Sequence, residues 1–318
     1  MKLRHVYGPV PSRRLGQSLG VNPIPFKTCN YSCVYCQLGR TSHLTNTRCG
    51  FFPRLEILRE IRLALGQCRG RTDYVTFVGE GEPTLCRDLG FLIERTKELT
   101  NLPIAVITNG SLLYQEKVRR DLLQADVVLP SLDVTDQSAF VKLNRPHKAL
   151  KISQIIAGMT QFRDQFAGQL WMEVMLVRGV NDSVDELVKI EDALRHIAPD
   201  RVFVNVPVRP PAESWVAPPE TERLSLVRSI LENAHVHDHP ESGPFDIPGN
   251  DDPLVSVLMI IRRHPMRRDQ VVETLHTLSP LAIEKAIDEL EAAGRIQKVL
   301  YRGESFYTCC EGRYGKKQ

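Results

Sequence analysis

Three of the eight cysteines in this 318-residue chain, Cys29, Cys33 and Cys36, fall within one short segment. In a reducing compartment, thiols grouped in this way serve as metal ligands or catalysts more often than as crosslinks. A closed structural zinc site and a four-iron cluster each normally take four protein ligands. Three cysteines therefore predict a metal centre that keeps one metal position open for a substrate or a cofactor.

The other five cysteines are spread along the chain and give a weaker signal. Cys49, Cys68 and Cys86 are isolated, and an isolated cysteine usually behaves as a small buried hydrophobic residue. Cys309 and Cys310 are adjacent near the C-terminus. They leave two interpretations open: a second cluster or a cap for the open metal position, and a pair without a metal role.

Short apolar runs rich in valine and isoleucine alternate with helical patterns through most of the chain. Runs that are apolar on both faces are typical of buried parallel strands. The predicted strands cover residues 19–24, 75–78, 104–107, 127–129, 174–177 and 202–206. A helix follows each strand, which implies right-handed crossovers. The sequence therefore predicts an α/β fold over residues 1–240, a partial (β/α)6 TIM-like barrel with its chemistry at the C-terminal strand ends.

The last part of the chain has a different pattern, which predicts a second, smaller domain. Proline and glycine accumulate in residues 241–253, as in a linker, and three helical patterns and a hairpin follow in residues 254–308. This order is typical of a winged helix, and residues 309–318 form a tail. The third helix is acidic and repels phosphate, so DNA is not an expected partner. A structural, dimerising or substrate-presenting role is expected instead.

Glycine and polar residues follow several predicted strands, at the edge where a parallel barrel places its functional groups. These residues are Gly79, Glu80, Gly81, Glu82, Pro83, Thr108, Asn109, Ser131, Asp133 and Glu173. Glycine lets the backbone approach a bound molecule closely, and the polar side chains can bind it. The alternatives are helix capping by the Asn, Ser and Asp residues and, for Glu173, a paired charge within the barrel.

The charge of the chain is unevenly distributed, although its formal net value is only +3. Residues 1–55 contain eight Lys and Arg residues and no acidic residue, which favours an anionic partner. RNA, a phosphorylated substrate and an acidic electron donor all fit, and a solvated basic face is the alternative. No apolar run is long enough to span a membrane, and the N-terminus lacks the apolar core of a secretion signal. We therefore expect a cytoplasmic protein without a membrane partner.

The C-x3-C-x2-C spacing at the end of a first barrel strand resembles the radical S-adenosylmethionine (SAM) superfamily. The resemblance implies an oxygen-sensitive 4Fe–4S cluster on the three clustered cysteines, with SAM on the open iron. It also implies that SAM is cleaved reductively to a 5′-deoxyadenosyl radical, with electrons from a flavodoxin- or ferredoxin-type donor. Tyr35 is expected near the adenine. Residues 79–83 match the segment that receives the methionine amino group, although Glu80 stands where the first glycine is usual.

Four longer segments carry a closer resemblance, residues 7–16, 30–41, 77–85 and 173–182. They are similar to a bacterial and archaeal group related to the enzymes that form wyosine bases in tRNA. Lys142 matches the lysine that forms an imine with pyruvate in those enzymes, and a surface lysine is the alternative. The chain departs from them because no cysteine precedes Cys29, whereas they have upstream cysteines for a second cluster. Pyruvate condensation is therefore not carried over, and the substrate stays open.

Two other classes of protein fit part of the pattern. A non-enzymatic iron–sulfur redox sensor would bind DNA through the winged helix, but the acidic third helix and the glycine-rich segment after the second strand do not suit that role. A zinc-binding module would use the same three cysteines and a further ligand. SAM cleavage distinguishes an enzyme from the sensor, and the metal content distinguishes it from the zinc module.

Overall fold

The structure is a computed structural model of the chain. It describes residues 3–68, 70–231, 233–239, 245, 252–276 and 278–311. Its strands are β1 (Val6–Ser12), β2 (Gly16–Val21), β3 (Thr28–Cys29), β4 (His43–Leu44), β5 (Tyr74–Phe77), β6 (Ile104–Thr108), β7 (Val127–Pro130), β8 (Gln169–Met175), β9 (Arg201–Asn205), β10 (Ala234–His237), β11 (Met266–Arg267), β12 (Ile296–Tyr301) and β13 (Glu304–Cys309). Its helices are α1 (Arg54–Gln67), α2 (Leu89–Lys97), α3 (Glu116–Leu122), α4 (Gln137–Leu143), α5 (Ile152–Gln165), α6 (Val184–Ile197), α7 (Thr221–Ile230), α8 (Pro253–Arg263), α9 (Arg268–Thr274) and α10 (Pro280–Ala292), with a short 3-10 helix at Pro83–Leu85.

One sheet with the strand order β1-β2-β5-β6-β7-β8-β9-β10 dominates the fold. Neighbouring strands from β2 onward are parallel, and the β1–β2 hairpin is antiparallel. The spatial order of the strands follows their order in the chain. Helices that follow one another, such as α1 and α2 or α5 and α6, therefore pack side by side. The predicted α/β class with a mostly parallel sheet is confirmed.

The limits of the strands agree with the prediction where the apolar run is continuous. β5, β6, β7 and β9 each begin and end within one residue of the predicted strand. β2 begins at Gly16 and β8 at Gln169, several residues before the predicted starts, because polar residues interrupt the apolar pattern there. The prediction missed β1 and β10. β1 contains Pro9 and Pro11, which an edge strand tolerates but which read as turn signals in a sequence.

The turn of the β1–β2 hairpin crosses the face of the sheet opposite the helices. Leu15 in this turn is buried in a small apolar cluster with side chains from β6 to β9. Those side chains are Ala105, Val127, Leu129, Trp171 and Phe203. The turn thereby brings Arg13 and Arg14 against the inner face of β8 and β9.

A buried carboxylate fastens the first strand to helix α1. Oε2 of Glu60 accepts hydrogen bonds from the backbone N–H groups of residues 4–6, at 2.8, 2.7 and 3.2 Å. We expect Glu60→Ala to lower the free energy of unfolding by about 3 kcal/mol, because charge-assisted bonds are lost and their donors are left unsatisfied. Chemical denaturation measures this. Glu94→Ala, at an exposed position of α2, is the control, with an expected change within about 0.5 kcal/mol, and equal losses would contradict the prediction.

Residues 253–311, which we call the C-terminal unit, contain helices α8 to α10 and a three-stranded sheet in the order β11-β13-β12. Its helices and its hairpin lie where the sequence predicts them. Val10 of β1 packs against its apolar core, so β1 contacts both parts of the chain. Most of the predicted linker, residues 241–253, and most of the predicted tail lie outside the described residues. No helix in the described ranges is both long and apolar enough to cross a membrane.

Candidate active site

The three clustered cysteines lie in a loop that the short parallel pair of β3 and β4 closes at its base. Cys29 ends β3, and Cys33 and Cys36 follow in the loop. Two turns tighten this loop, since the N–H of Cys36 donates to the carbonyl of Cys33 at 3.1 Å and the N–H of Gly39 donates to that of Cys36 at 3.0 Å. The thiols are close enough for the charge of each to act on the others.

The spacing of the three sulfur atoms discriminates between two kinds of metal centre. A zinc ion bonds each cysteine sulfur at about 2.3 Å in a tetrahedron, which holds the sulfurs about 3.8 Å apart. Among the described residues, three side chains with metal-ligand atoms come within 4.8 Å of one another only at His5, Glu56 and Glu60. At least two of the three thiol sulfurs are therefore more than 4.8 Å apart, which is farther than a single zinc ion holds its cysteine ligands.

Each of the three sulfurs accepts a hydrogen bond from a side chain outside the motif. The pairs are Lys27 Nζ with Cys36 at 3.1 Å, Asn109 Nδ2 with Cys29 at 3.8 Å and Asn144 Nδ2 with Cys33 at 3.5 Å. Burial and the nearby Glu82 raise the pKa of Cys29 to about 12. A bound metal cluster supplies positive charge that reverses this effect, and hydrogen bonds to the sulfurs set its reduction potential.

Gly79 and Gly81 allow the segment after β5 to pack against the segment that carries the first cysteine. A Cβ atom on Gly81 would lie 1.7 Å from the carbonyl oxygen of Thr28, and one on Gly79 would lie 2.6 Å from Cγ2 of Ile24. The N–H of Glu82 donates to the same Thr28 carbonyl at 3.1 Å. The two backbones are thus in direct contact, and they leave no room for a side chain at residue 81.

Glu82 is buried where this segment meets the end of β6. Its Oε1 accepts hydrogen bonds from the N–H of Thr84 at 2.9 Å and from the hydroxyl groups of Thr84 and Thr108 at 2.5 Å. Its Oε2 accepts from the N–H of Asn109 at 2.7 Å. Burial raises the pKa of Glu82, while these hydrogen bonds oppose the rise. Oε2 can accept a further hydrogen bond. Pro83 begins the short helix that Glu82 caps.

Glu80 occupies the position of the usual glycine, and its side chain turns to the C-terminal unit. Its buried Oε1 lies 3.1 Å from Nη2 of Arg263 and 3.4 Å from Nε of Arg262, both at the end of α8. The N–H of Glu80 donates to Oδ1 of Asn22 at 3.1 Å. This departure from the superfamily pattern therefore links the segment after β5 to the C-terminal unit.

Tyr35, Asp133 and Asn144 form a buried network beside Cys33. The hydroxyl of Tyr35 donates to Oδ2 of Asp133, and Nδ2 of Asn144 donates to the same oxygen at 2.7 Å. The N–H of Met175 donates to Oδ1 of Asp133 at 2.9 Å. Burial raises the pKa of Asp133, and the three donors oppose the rise. The network connects the cysteine loop to the ends of β7 and β8.

Ser131 and Glu173 lie opposite each other in an isolated bridge between the segments of β7 and β8. Glu173 forms an ion pair with Arg14 of the hairpin turn, and it accepts a hydrogen bond from Nδ2 of Asn205 at 3.2 Å. The paired charge expected as the alternative role of Glu173 is therefore present.

A cavity of about 300 Å³ lies between the inner face of the sheet, the cysteine loop and the C-terminal unit. This is the size of a small-molecule site. Four of the predicted residues line it, Tyr35, Ser131, Asp133 and Glu173. It is also lined by Arg13, Arg14, Arg209, Arg263 and His264, which the prediction did not include.

Lys142 is the one predicted residue that stands apart from the others. It is exposed on α4 and is not among the residues that line the cavity. The reason is helical periodicity: α4 buries Phe140 and Leu143, which turns the two residues between them, Val141 and Lys142, to solvent. This position is that of the surface lysine that the sequence left as the alternative.

The prediction missed several residues of the site, namely Lys27, Asn144, Asn205, Arg209 and Glu213. Glu213 clamps the cysteine loop, since its carboxylate pairs with Arg40 at 2.7 Å and with Arg145, and its N–H donates to the carbonyl of Val34 at 3.0 Å. Asn205 ends β9, one residue before the predicted end of that strand, and was open to the same argument as Ser131. The others carry no local signal in the sequence.

A family model described as the radical SAM superfamily matches residues 24–190, more than half of the chain. The chain belongs to this superfamily. It is 36% identical over 310 residues to the UPF0026 protein MJ1312 of Methanocaldococcus jannaschii, a match that covers 95% of this chain and 94% of that protein. The chain is thus a radical SAM enzyme, and the cofactors of its superfamily are a 4Fe–4S cluster and SAM.

Two solved structures resemble the fold at low sequence identity. A radical SAM methyltransferase from Sphaerobacter thermophilus superposes with a TM-score of 0.53 at 21% identity, over 70% of this chain and 66% of that one. TYW1 with a lysine–pyruvate adduct superposes with a TM-score of 0.51 at 15% identity, over 67% of this chain and 72% of that one. Such likeness concerns the fold alone. The family model and these structures support the predicted membership of the radical SAM superfamily.

The amide of Asn144, which contacts Cys33 and Asp133, is a sensitive test of the site. We expect Asn144→Ala to lower the rate of SAM cleavage by about 10- to 100-fold, because supporting hydrogen bonds to ligands have effects of this size. The 5′-deoxyadenosine formed per chain and the iron content are to be measured together. Asn101→Ala, at an exposed position, is the matched control. An unchanged rate in the Asn144 variant would show that this network does not support the site.

Proposed function

We propose that Cys29, Cys33 and Cys36 hold a 4Fe–4S cluster at which SAM is cleaved reductively to a 5′-deoxyadenosyl radical that abstracts hydrogen from a substrate. The observation that carries this proposal is the grouping of three thiols in one loop, each with a hydrogen-bond donor from outside the motif, beside the buried carboxylate of Glu82. The hydrogen bonds that Lys27, Asn109 and Asn144 donate to the sulfurs support it, because hydrogen bonds to the ligand sulfurs help to set the reduction potential of an iron–sulfur cluster.

In this proposal the residues around the cluster bind and orient SAM. The backbone at residues 79–83 and Oε2 of Glu82 receive the methionine amino group, with Thr108 and Asn109 fixing the glutamate. Tyr35 lies near the adenine. Asp133, Ser131 and Glu173 line the cavity where the rest of SAM and the substrate meet. The bound cluster supplies an electron, and the protein supplies position and exclusion of water.

We further propose an architecture for the two parts of the chain. A sheet whose strand order follows the chain, with its helices in one layer and its inner face filled around Leu15, suits a partial barrel. The order of helices and hairpin in the C-terminal unit suits a winged helix. The eight cysteines are free thiols, as is usual in the cytoplasm, where we place the protein.

The proposed partners are SAM, an external low-potential donor of the flavodoxin or ferredoxin type, and an anionic substrate. RNA remains one form that this substrate can take. Lys142 is not assigned an imine with pyruvate, because it is exposed and is not among the residues that line the cavity. The comparisons give no support to the redox-sensor hypothesis, and DNA is not proposed as a partner.

The experiment that tests the function is anaerobic reconstitution with iron and sulfide, followed by incubation with SAM and dithionite. The expected product is 5′-deoxyadenosine, which the superfamily often forms slowly even without a substrate. Omission of dithionite is the control, because the cleavage needs one electron. Iron incorporation without any 5′-deoxyadenosine would contradict the proposal, and zinc without iron would replace it with the zinc module.

A further inference from the structure

Lys27 is a buried lysine two positions before the first cysteine of the loop, and its ammonium group is directed at a sulfur atom. Only 3% of the residue is exposed, and Nζ lies 3.1 Å from Sγ of Cys36. Among the described residues this sulfur is the one hydrogen-bond partner of Nζ, and no carboxylate forms an ion pair with it. A buried cation needs a compensating negative charge. We therefore expect the sulfur that Lys27 contacts to be a thiolate.

The two acidic residues of the segment after β5 have other partners. Glu82 is held by hydroxyl and N–H donors at the ends of β5 and β6, and Glu80 is turned to the two arginines at the end of α8. Burial and the charge of Glu82 raise the pKa of Cys29, whereas the charge of Lys27 acts on Cys29 in the opposite direction. Lys27 thus compensates negative charge on the cysteine loop.

The backbone holds Lys27 in an uncommon conformation. Its φ angle is 53°, in the left-handed region that residues with a side chain avoid. Its N–H donates to the carbonyl of Glu80 at 2.7 Å, and its own carbonyl accepts from the N–H of His43 at 3.1 Å. Such a conformation persists only where the surroundings impose it, and it is concentrated at functional sites. The two hydrogen bonds fix the point from which the side chain reaches Cys36.

We propose that the ammonium group of Lys27 is the counter-charge of the iron–sulfur cluster and raises its reduction potential through Sγ of Cys36. The proposal rests on the proposed function and assigns Lys27 as a positioning residue, which acts through a ligand sulfur. The three thiolates give the ligated cluster a net negative charge, and reduction adds one electron from the low-potential donor. A fixed positive charge beside a ligand sulfur stabilises the more negative, reduced form. No bond or proton of Lys27 changes in this step.

The other two donors to the sulfurs differ from Lys27 in charge and in distance. Asn109 and Asn144 donate from neutral amides, at 3.8 Å to Cys29 and at 3.5 Å to Cys33. Hydrogen bonds from an ionised donor are shorter and roughly twice as strong as those between neutral groups. Lys27 should therefore have the largest influence of the three on the potential.

The test is a redox titration of the reconstituted full chain without SAM, followed by the EPR signal of the reduced cluster. Lys27→Met should lower the equilibrium constant for one-electron reduction by at least about 10-fold, which is about 59 mV in midpoint potential. Lys27→Gln, which keeps a donor but no charge, should lower it nearly as much, and Lys27→Arg should stay close to the unaltered protein. Lys117→Met, at an exposed position of α3, is the matched control and should not change it.

Two outcomes of this titration would overturn the proposal. One is an unchanged potential in Lys27→Met at the same iron content. The other is an equal shift in Lys27→Met and Lys27→Arg, which would give Lys27 a structural role that does not depend on its charge.

A second measurement uses the unaltered sequence and so does not depend on the folding of any variant. The protein is labelled with nitrogen-15 at the lysine side-chain nitrogen, reconstituted and reduced without SAM, and pulsed EPR measures the hyperfine coupling to the label. A coupling is expected through the hydrogen bond to Cys36, because Lys27 is the one lysine that contacts a cysteine sulfur in the described part of the chain. Absence of a coupling would overturn the proposal.

SAM cleavage and iron content are measured on the same unaltered sample, so that the two proposals fail separately. A cluster whose potential depends on Lys27 but that does not cleave SAM would reject the proposed function alone. Cleavage by a cluster whose potential is independent of the charge of Lys27 would reject only this inference. A chain that incorporates no iron would reject both.

Discussion

Replacement of Cys33 by alanine is expected to abolish both iron binding and SAM cleavage. The remaining two thiols cannot hold a cluster that already has only three protein ligands, and the donor Asn144 loses its acceptor sulfur. Reconstituted unaltered protein should contain about four irons per chain. In Cys33→Ala the iron should fall to the level of an unreconstituted sample, and 5′-deoxyadenosine should fall to background.

The matched control for this loss is Cys310→Ala, which removes an exposed thiol of the C-terminal unit. It should keep the full iron content and the full rate of cleavage. About eight irons in the unaltered chain, reduced to about four in Cys310→Ala, would instead support a second cluster on the adjacent pair. Iron and cleavage that survive in Cys33→Ala would remove Cys33 from the ligand set.

Features of the site that depend on one short segment could be predicted from the sequence. The cysteine spacing indicated a metal centre because a loop of this length holds three thiols together in almost any conformation. The glycines after the second strand predicted close approach to a bound molecule, and the close approach that Gly81 makes within the chain is to the carbonyl oxygen of Thr28. The parallel strands followed from apolar runs that helices separate. Each of these inferences uses only the range over which local pattern constrains structure.

Local sequence patterns could not predict contacts between segments that are far apart in the chain. Arg14 and Glu173 are 159 positions apart, and Tyr35 and Asp133 are 98 apart. Taken alone, each of these side chains is as compatible with a solvated surface as with a buried pair. Their pairing follows from the register of the sheet and from the path of the hairpin turn, and the two prolines of β1 concealed that hairpin.

At Glu80 the chain departs from the glycine that is usual in the superfamily, and the fold explains this departure. A superfamily that favours glycine at this position needs room for the cofactor, and a glutamate there is acceptable if its side chain leaves that space. The carboxylate turns to Arg262 and Arg263, which belong to a part of the chain that the superfamily match does not include. The substitution and the C-terminal unit are therefore best understood as one feature.

Gly81→Ala is expected to have the second large effect on the site. The new methyl group would lie 1.7 Å from the carbonyl oxygen of Thr28, and backbone atoms cannot move aside as a flexible side chain can. Either Thr28 and Cys29 shift or the segment before Glu82 does, and both carry proposed ligands. We expect SAM cleavage to fall by at least about 100-fold, as misplacement of reacting groups by about 1 Å produces losses of this size. The same assay of 5′-deoxyadenosine, with equilibrium binding of SAM, measures it.

Gly66→Ala provides the matched control, because it makes the same chemical change where nothing lies within 4 Å of the new Cβ atom. Gly66 is in helix α1, so alanine should raise the free energy of unfolding by about 0.5–1 kcal/mol and leave the cleavage rate unchanged. If the Gly81→Ala protein unfolds like the parent but fails to bind SAM, the defect lies in the packing of residue 81 against Thr28. A Gly81→Ala protein with full activity would mean that the segment after β5 is not in contact with the cofactor, and the proposed role of Glu82 would fall with it.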